Sequence, residues 1–142
     1  MPNNKHQAML DYLGGCPGLT PLFFGFSEGK PGAWELRFVA SDDCARRFID
    51  GRCLKYYTFA LTYLAPLTAD CDENLEAVAE PEAVMDWLRA QNRVRNLPDF
   101  GADCHVERVV PLQDAPTAEG RDVRARLAAY RFQGRVEYVS EE

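Results

Sequence analysis

Only two histidines, His6 and His105, occur in this chain, and its five cysteines, Cys16, Cys44, Cys53, Cys71 and Cys104, contain no C-x-x-C pair. Zinc and other transition metals draw on His and Cys at short fixed spacings, and H-x-x-x-H is missing as well, so no metal site is expected. An odd number of widely spaced cysteines also speaks against a disulfide scaffold, and reduced thiols are the expectation. Long apolar runs are lacking too. No stretch approaches the roughly 20 apolar residues of a membrane span, and Met1-Pro2-Asn3-Asn4-Lys5 leads into no signal-peptide-like run, which predicts a protein that works in aqueous solution. Basic charge is in deficit: 16 Lys and Arg against 22 Asp and Glu leave a net charge of −6. That balance excludes a general nucleic-acid or anionic-membrane surface and leaves room for a local basic patch. Repeats, low-complexity tracts and linkers are absent, so the 142 residues are expected to form one domain, 1–142.

What is present is a succession of short patterned segments. His6, Met9, Leu10 and Leu13 fall at helical spacing and stop at Gly14-Gly15 and Pro17. The aromatic run 22–26 and the alternating Trp34, Leu36, Phe38 and Ala40 read as two strands of a hairpin joined by the loop 27–32. Segment 41–51, with Asp42, Asp43, Arg46, Arg47 and Asp50 around Phe48-Ile49, is polar enough to be placed outside the sheet as a connection or a partner-contacting arm. Residues 54–64 form a long strand with Tyr57, Phe59, Leu61 and Tyr63 on one face and Tyr56, Thr58, Ala60 and Thr62 on the other. Asp70 and Glu73 have the spacing of a capping box for a short helical turn, and Pro81 predicts a break. A helix restarts at Glu82, carries the stripe Val84, Met85, Trp87 and Leu88, and ends before Pro98. The strands 104–112 and 128–138 follow, separated by a loop at 114–120. On the last strand Ala128, Tyr130, Phe132, Val136 and Tyr138 point inward, whereas Arg131, Gln133, Arg135 and Glu137 point out. The order gives an α+β fold: an antiparallel-rich, mixed sheet of about five strands with helices packed on one face.

Candidate chemistry is sparse. Glu82 and Asp86 share a helix face, but an acidic first turn is favoured by the helix dipole without any catalytic role. Cys104 and His105 are neighbours in a strand, where adjacent side chains point to opposite faces, so they form no nucleophile–base pair. Gly14-Gly15 and Gly25 belong to no phosphate-cradling motif, and no cofactor is expected. Arg46 and Arg47 beside Phe48 suit a solvated loop or a protein contact better than nucleic acid, since aspartates surround them.

Three stretches carry a resemblance. Asp50-Gly51-Arg52-Cys53-Leu54-Lys55-Tyr56-Tyr57-Thr58-Phe59, then Val84-Met85-Asp86-Trp87-Leu88-Arg89-Ala90-Gln91-Asn92, then Leu97-Pro98-Asp99-Phe100-Gly101 resemble small siphophage and prophage proteins of the tail-terminator or minor-capsid (tail-completion) type. Leu10-Asp11-Tyr12-Leu13 and Cys16-Pro17-Gly18-Leu19 fit the same pattern. The resemblance implies a structural role in the virion and, during assembly, in the host cytoplasm. It implies a homo-oligomeric ring, commonly a hexamer, that caps the tail tube and contacts the tail-tube and head-completion proteins. It implies no membrane, no sequence-specific nucleic acid, no cofactor and no catalytic residue. A ring needs heterologous contacts. The expected interface residues are Asp42, Asp43, Arg46, Arg47 and Phe48 on the arm, with Arg131 and Arg135 on the last strand meeting acidic neighbours such as Asp42 or Asp43. The alternative is a small cytoplasmic enzyme or ligand-binding domain whose pocket brings His6 or His105 to a cysteine.

Overall fold

The computed structural model describes residues 5–19, 21–25, 32–66, 71–122 and 127–141, with the backbone alone at 42–43, 71–77 and 119–122. Phe26, most of the expected 27–32 loop and Asp70 lie outside the described residues, as does the side chain of Glu73. The elements are α1 (Lys5–Leu13), β1 (Leu22–Phe24), β2 (Trp34–Arg47), β3 (Cys53–Pro66), α2 (Cys71–Arg93), β4 (Cys104–Pro111), β5 (Thr117–Asp122) and β6 (Leu127–Ser140). The fold is α+β, with a mixed, largely antiparallel open sheet and two helices. Among the described residues the sheet has six strands in the order β1-β2-β3-β6-β4, with β5 also paired to β6.

β3 and β6 form the centre. Their register runs unbroken from Cys53 opposite Ser140 to Pro66 opposite Leu127. Strict alternation along both strands sends Tyr57, Phe59, Leu61, Phe132, Val136 and Tyr138 to one face. There they join Trp34 and Leu36 of β2, Val106 and Val109 of β4, Met9 and Leu13 of α1, and Val84, Met85 and Leu88 of α2 in one hydrophobic cluster. Gly134, opposite Phe59, is required by this packing: a Cβ there would lie 2.5 Å from the Phe59 ring.

Four expectations are corrected. The segments around Leu22 and Trp34 do not form a hairpin, because β1 runs parallel to β2, with Leu22 opposite Trp34 and Phe24 opposite Leu36. The amides of Trp34 and Gly25 donate to the carbonyls of Pro21 and Leu36 at 2.9 and 2.8 Å, the slanted pattern of a parallel pair. Residues 41–47 lie inside the sheet as the continuation of β2, with an irregularity between Asp42 and Arg46. Charged side chains that argued against a strand are the residues that suit a strand near the sheet edge. Pro81 does not interrupt α2, which is continuous from Cys71 to Arg93. Its ring is buried, and the packing of Val84, Met85 and Leu88 offsets the lost backbone bond. Finally, part of the predicted 114–120 loop is the strand β5, whose register shifts between Ala118 and Gly120 hid its alternation. β5 and β4 divide between them the outer edge of β6.

Helix ends follow local rules. α1 stops where Gly14 donates to Leu10 at 2.9 Å. After α2, the amides of Asn96 and Arg95 donate to Gln91 and Asn92, and Arg95 takes a left-handed φ of 62°, which together make a Schellman motif with arginine where glycine is usual. The Arg95 side chain holds that position by donating to the Glu107 carbonyl at 3.0 Å.

Candidate functional site

The expected interface residues separate into two groups on the same sheet. The first surrounds the turn between β2 and β3. Register ends with Arg47 opposite Cys53, and the five residues between them reverse the chain. The Phe48 amide donates to the Arg52 carbonyl at 2.8 Å, the Gly51 amide to the Phe48 carbonyl at 3.0 Å, and Gly51 adopts a φ of 93° that favours glycine. Arg47 donates from Nη1 to the Gly51 carbonyl at 3.0 Å. Asp50 accepts from the Arg52 amide at 3.1 Å and from Arg52 Nε at 2.7 Å. These bonds hold the Asp50 carboxyl below its ordinary range, the backbone amide of Arg52 contributing most. The guanidinium groups of Arg46 and Arg52 lie 5.8 and 5.9 Å from the centre of the Phe48 ring. Ile49, at the apex, is fully exposed. Arg46, Arg47, Phe48, Ile49 and Asp50 enclose an open concavity of about 460 Å³.

A disulfide joins Cys44 to Cys53 below this turn, with 5.4 Å between the Cα atoms, which corrects the expectation that all five thiols are reduced. The register shift between Asp42 and Arg46 places Cys44 within reach of Cys53. Asp42 is opposite Tyr56 in the register and Asp43 lies in the irregular segment that follows.

Arg131 and Arg135 form the second group, on the face of β6 away from the hydrophobic cluster. They lie opposite Thr62 and Thr58 of β3. Both are half-buried rather than fully out. Arg135 stacks over Tyr56 at 4.2 Å and reaches Glu137 at 3.8 Å. Glu137 also pairs with Arg108, and Arg37 pairs with Glu35 at 3.0 Å. Glu35 and Glu137 are buried beneath the arginine stems, so this face is a laced ion-pair surface whose charges are largely met inside the subunit. Thr58 and Cys53 are five residues apart on β3, which separates Arg135 from the turn by about 16 Å. The sheet therefore does not bring the two groups together within one copy.

Sequence reasoning missed a third feature. His6 of α1 packs against Phe24, Phe38 and Tyr57, with ring centres 4.9, 5.1 and 5.6 Å away, and its Nδ1 is 2.7 Å from the Tyr57 hydroxyl. Phe24 and Phe38 are 45% and 42% exposed, so one side of the cluster opens to solvent. Burial pushes the Tyr57 phenol up to about 12. The available signal was the alternation of Phe38 with Leu36 and Trp34. What the sequence did not show is that β1 ends at Phe24 and leaves Phe38 uncovered.

Asp86 accepts from Arg89 at 2.9 Å on an exposed helix face, and Glu82 is exposed. Cys104 is half-buried, while exposed His105 lies 3.7 Å from Glu107. Burial pushes the Cys16 thiol up to about 11, which disfavours the reactive thiolate. Among the described residues, no three His, Cys, Asp or Glu side chains converge as metal ligands, and no helix is long and apolar enough to cross a membrane. No model of a known protein family matches the chain, and no curated protein matches it.

Proposed function

We propose that this protein is a structural component of tailed-phage or prophage particles that assembles as an oligomeric ring, caps the tail tube and links tail to head. The observation that supports this reading is the turn at 48–52. A fully exposed isoleucine, ringed by arginines, is held at the end of a disulfide-bridged strand pair, and exposed apolar groups on a rigid element suit contact with another protein. The resemblance of the same segment, 50–59, to tail-terminator and minor-capsid proteins gives that contact its biological setting. The sheet offers further surface for ring neighbours on its arginine-laced face, where Arg131 and Arg135 lie, and the helices lie across its opposite face. In the cell the protein would act in the host cytoplasm during assembly and then reside in the virion, with the tail-tube and head-completion proteins as partners.

Negative-stain imaging and light scattering of the purified protein, alone and with the tail-tube protein, test this reading. Rings, or stoichiometric binding to the tube or head partner, are expected. A protein that stays monomeric and binds neither partner would refute it.

A further inference from the structure

We infer that the Cys44–Cys53 bridge is a redox switch of strand register. Oxidised, it holds the irregular end of β2 and the compact turn at 48–52. Reduced, it lets β2 slip by two residues into unbroken pairing with β3, and 46–52 becomes one longer loop. The turn is the contact surface proposed above, but the switch stands on the register alone and not on the assembly reading.

Between Asp42 and Arg46 β2 has three residues, 43–45, whereas between their partners Tyr56 and Leu54 β3 has only Lys55. β2 therefore carries two residues more than the ladder uses, and 43–45 take no part in the register. Side chains alternate along a strand with period two, so a slip of two residues keeps the face pattern intact. Continued without the irregularity, the ladder would set Asp43 opposite Lys55, Cys44 opposite Leu54 and Ala45 opposite Cys53. That pairing and the bridge exclude each other. Cys53 is buried on the face that Tyr57 and Phe59 share, whereas Cys44, level with Leu54, would point to the other face. Cysteines whose side chains diverge in this way cannot be joined.

Without the bridge, little opposes the slip. β1 pairs with β2 only along 34–36, so among the described residues the far end of β2 is a sheet edge with no second neighbour. β3 is fixed by β6 from Cys53 to Pro66, so the end of β2 moves alone. The slipped register also places Ala45, rather than the exposed Arg47, beside buried Cys53. Lengthening the turn by two residues costs little in closure entropy, and three residues gain ladder partners. What is given up is the Phe48–Arg52 backbone bond, the Arg47 donation to the Gly51 carbonyl, and the packing of Arg46 and Arg52 on Phe48. Reduction thus dissolves the concavity at 46–50 and releases Ile49 from its fixed position.

The bridge is open to attack because Cys44 is exposed, although Cys53 is buried. A dithiol reductant balances the step. Its first thiolate bonds Cys44 Sγ and expels Cys53 as a thiolate, which takes up a proton. Its second thiolate attacks that mixed disulfide, closes the reductant's own disulfide and releases Cys44 to be protonated. The reductant loses two electrons and the protein gains two thiols.

Hydrogen exchange resolved to single amides, before and after dithiothreitol, reads the register, while iodoacetamide labelling reports the state of Cys44 and Cys53. The Arg52 carbonyl and the Leu64 amide both bond toward β2, so by alternation the Leu54 carbonyl faces β2 as well. Reduction should pass that carbonyl from the Arg46 amide to the Cys44 amide. Exchange at Arg46 and Phe48 should accelerate by about tenfold and exchange at Cys44 should slow by about tenfold, with the β3 amides that face β6 unchanged. Cys44→Ser should show the reduced pattern without dithiothreitol and should not respond to it; should that variant not fold, reduction of the wild type remains the readout. Protection of Arg46 and Phe48 that persists once both thiols are labelled overturns the inference. So does protection lost there with none gained at Cys44, which is fraying and not a slip. A bridge that dithiothreitol does not open in the folded protein, or thiols that label fully before reduction, overturn it too. None of these results bears on the assembly reading, which imaging and partner binding decide.

Discussion

Gly134 sits where the two central strands are closest to a large side chain, and its requirement is steric rather than conformational. A methyl group there would lie 2.5 Å from one ring carbon of Phe59 and 2.9 Å from another. Gly134→Ala is expected to lower stability by about 1–3 kcal/mol, as overpacking of a filled core does. Chemical denaturation measures it, and Phe59→Leu combined with Gly134→Ala should recover part of the loss relative to the summed single changes. Additive losses would show that the ring is not the obstacle. Tyr57 offers a second residue-scale test. Its phenol is raised from 10.0 to about 12 by burial, so the folded state keeps it protonated where the unfolded state ionises. The stability this represents is complete below pH 10 and is lost as pH rises from about 10 to about 12. Tyr57→Phe removes the bond to His6, costing about 0.5–1.5 kcal/mol at neutral pH, and should flatten the decline in melting temperature across that alkaline window. An unchanged alkaline slope would assign the decline to other groups. The inward pattern of Tyr57, Phe59, Leu61 and Phe132 was legible from period-two alternation. That Gly134 approaches the ring of Phe59 in particular, and that His6 packs on Phe24 and Phe38, was not, because each depends on which residue lies across a strand or under a helix.

At the scale of elements, the sequence was clearest where apolar periodicity was regular. α1, β3, the C-terminal turns of α2, β4 and β6 all fall where spacing places them. Misreadings occurred where a local rule met a tertiary one. Pro81 signals a break, but the helix runs through it with the proline ring buried; the polar run 41–47 signals a loop, but its backbone completes the pairing of β2 with β3. The cysteines are the most instructive case. Counted as a set they suggest free thiols, yet Cys44 and Cys53 flank a turn that contains Asp50-Gly51, and that placement brings them across a strand pair. Closing so short a loop limits the unfolded chain by about 2–3 kcal/mol in the chain-entropy account. Cys44→Ser should lower the unfolding free energy by up to that amount, and dithiothreitol should bring the wild type to the same midpoint while leaving the variant unchanged. Thiol titration of the denatured, unreduced protein should show two fewer thiols than after reduction. Equal counts before and after would show that the bridge is not formed in solution. Of the residues expected at an interface, Arg46 and Arg47 are exposed as their charge suggests and Phe48 is half-buried, whereas Arg135 is drawn into a pair with Glu137 and a stack on Tyr56 that only the register reveals.

For the whole molecule, the decisive fact is that the last strand in sequence lies in the middle of the sheet. β6 pairs with β3 along its full length on one side and with β4 and β5 on the other, so no earlier segment can complete the sheet without it. The hydrophobic cluster likewise draws on both helices and on β2, β3, β4 and β6 together. A core assembled from both ends of the chain has no half that is stable alone, which predicts one cooperative transition for the entire 142 residues. Trp34 on β2 and Trp87 on α2 report separate regions, and they can be isolated with Trp87→Phe and by far-ultraviolet circular dichroism. Their denaturation midpoints should coincide. Phe132→Ala, made in the strand that closes the sheet, should lower stability by about 3–5 kcal/mol and shift every probe by the same amount. The same topology places long-range pairing late in the chain, so folding should be slow, in the millisecond-to-second range of high-contact-order domains. If the helix signal survived after the Trp34 signal had been lost, the chain would consist of two cooperative units, and the central strand would not be what joins them.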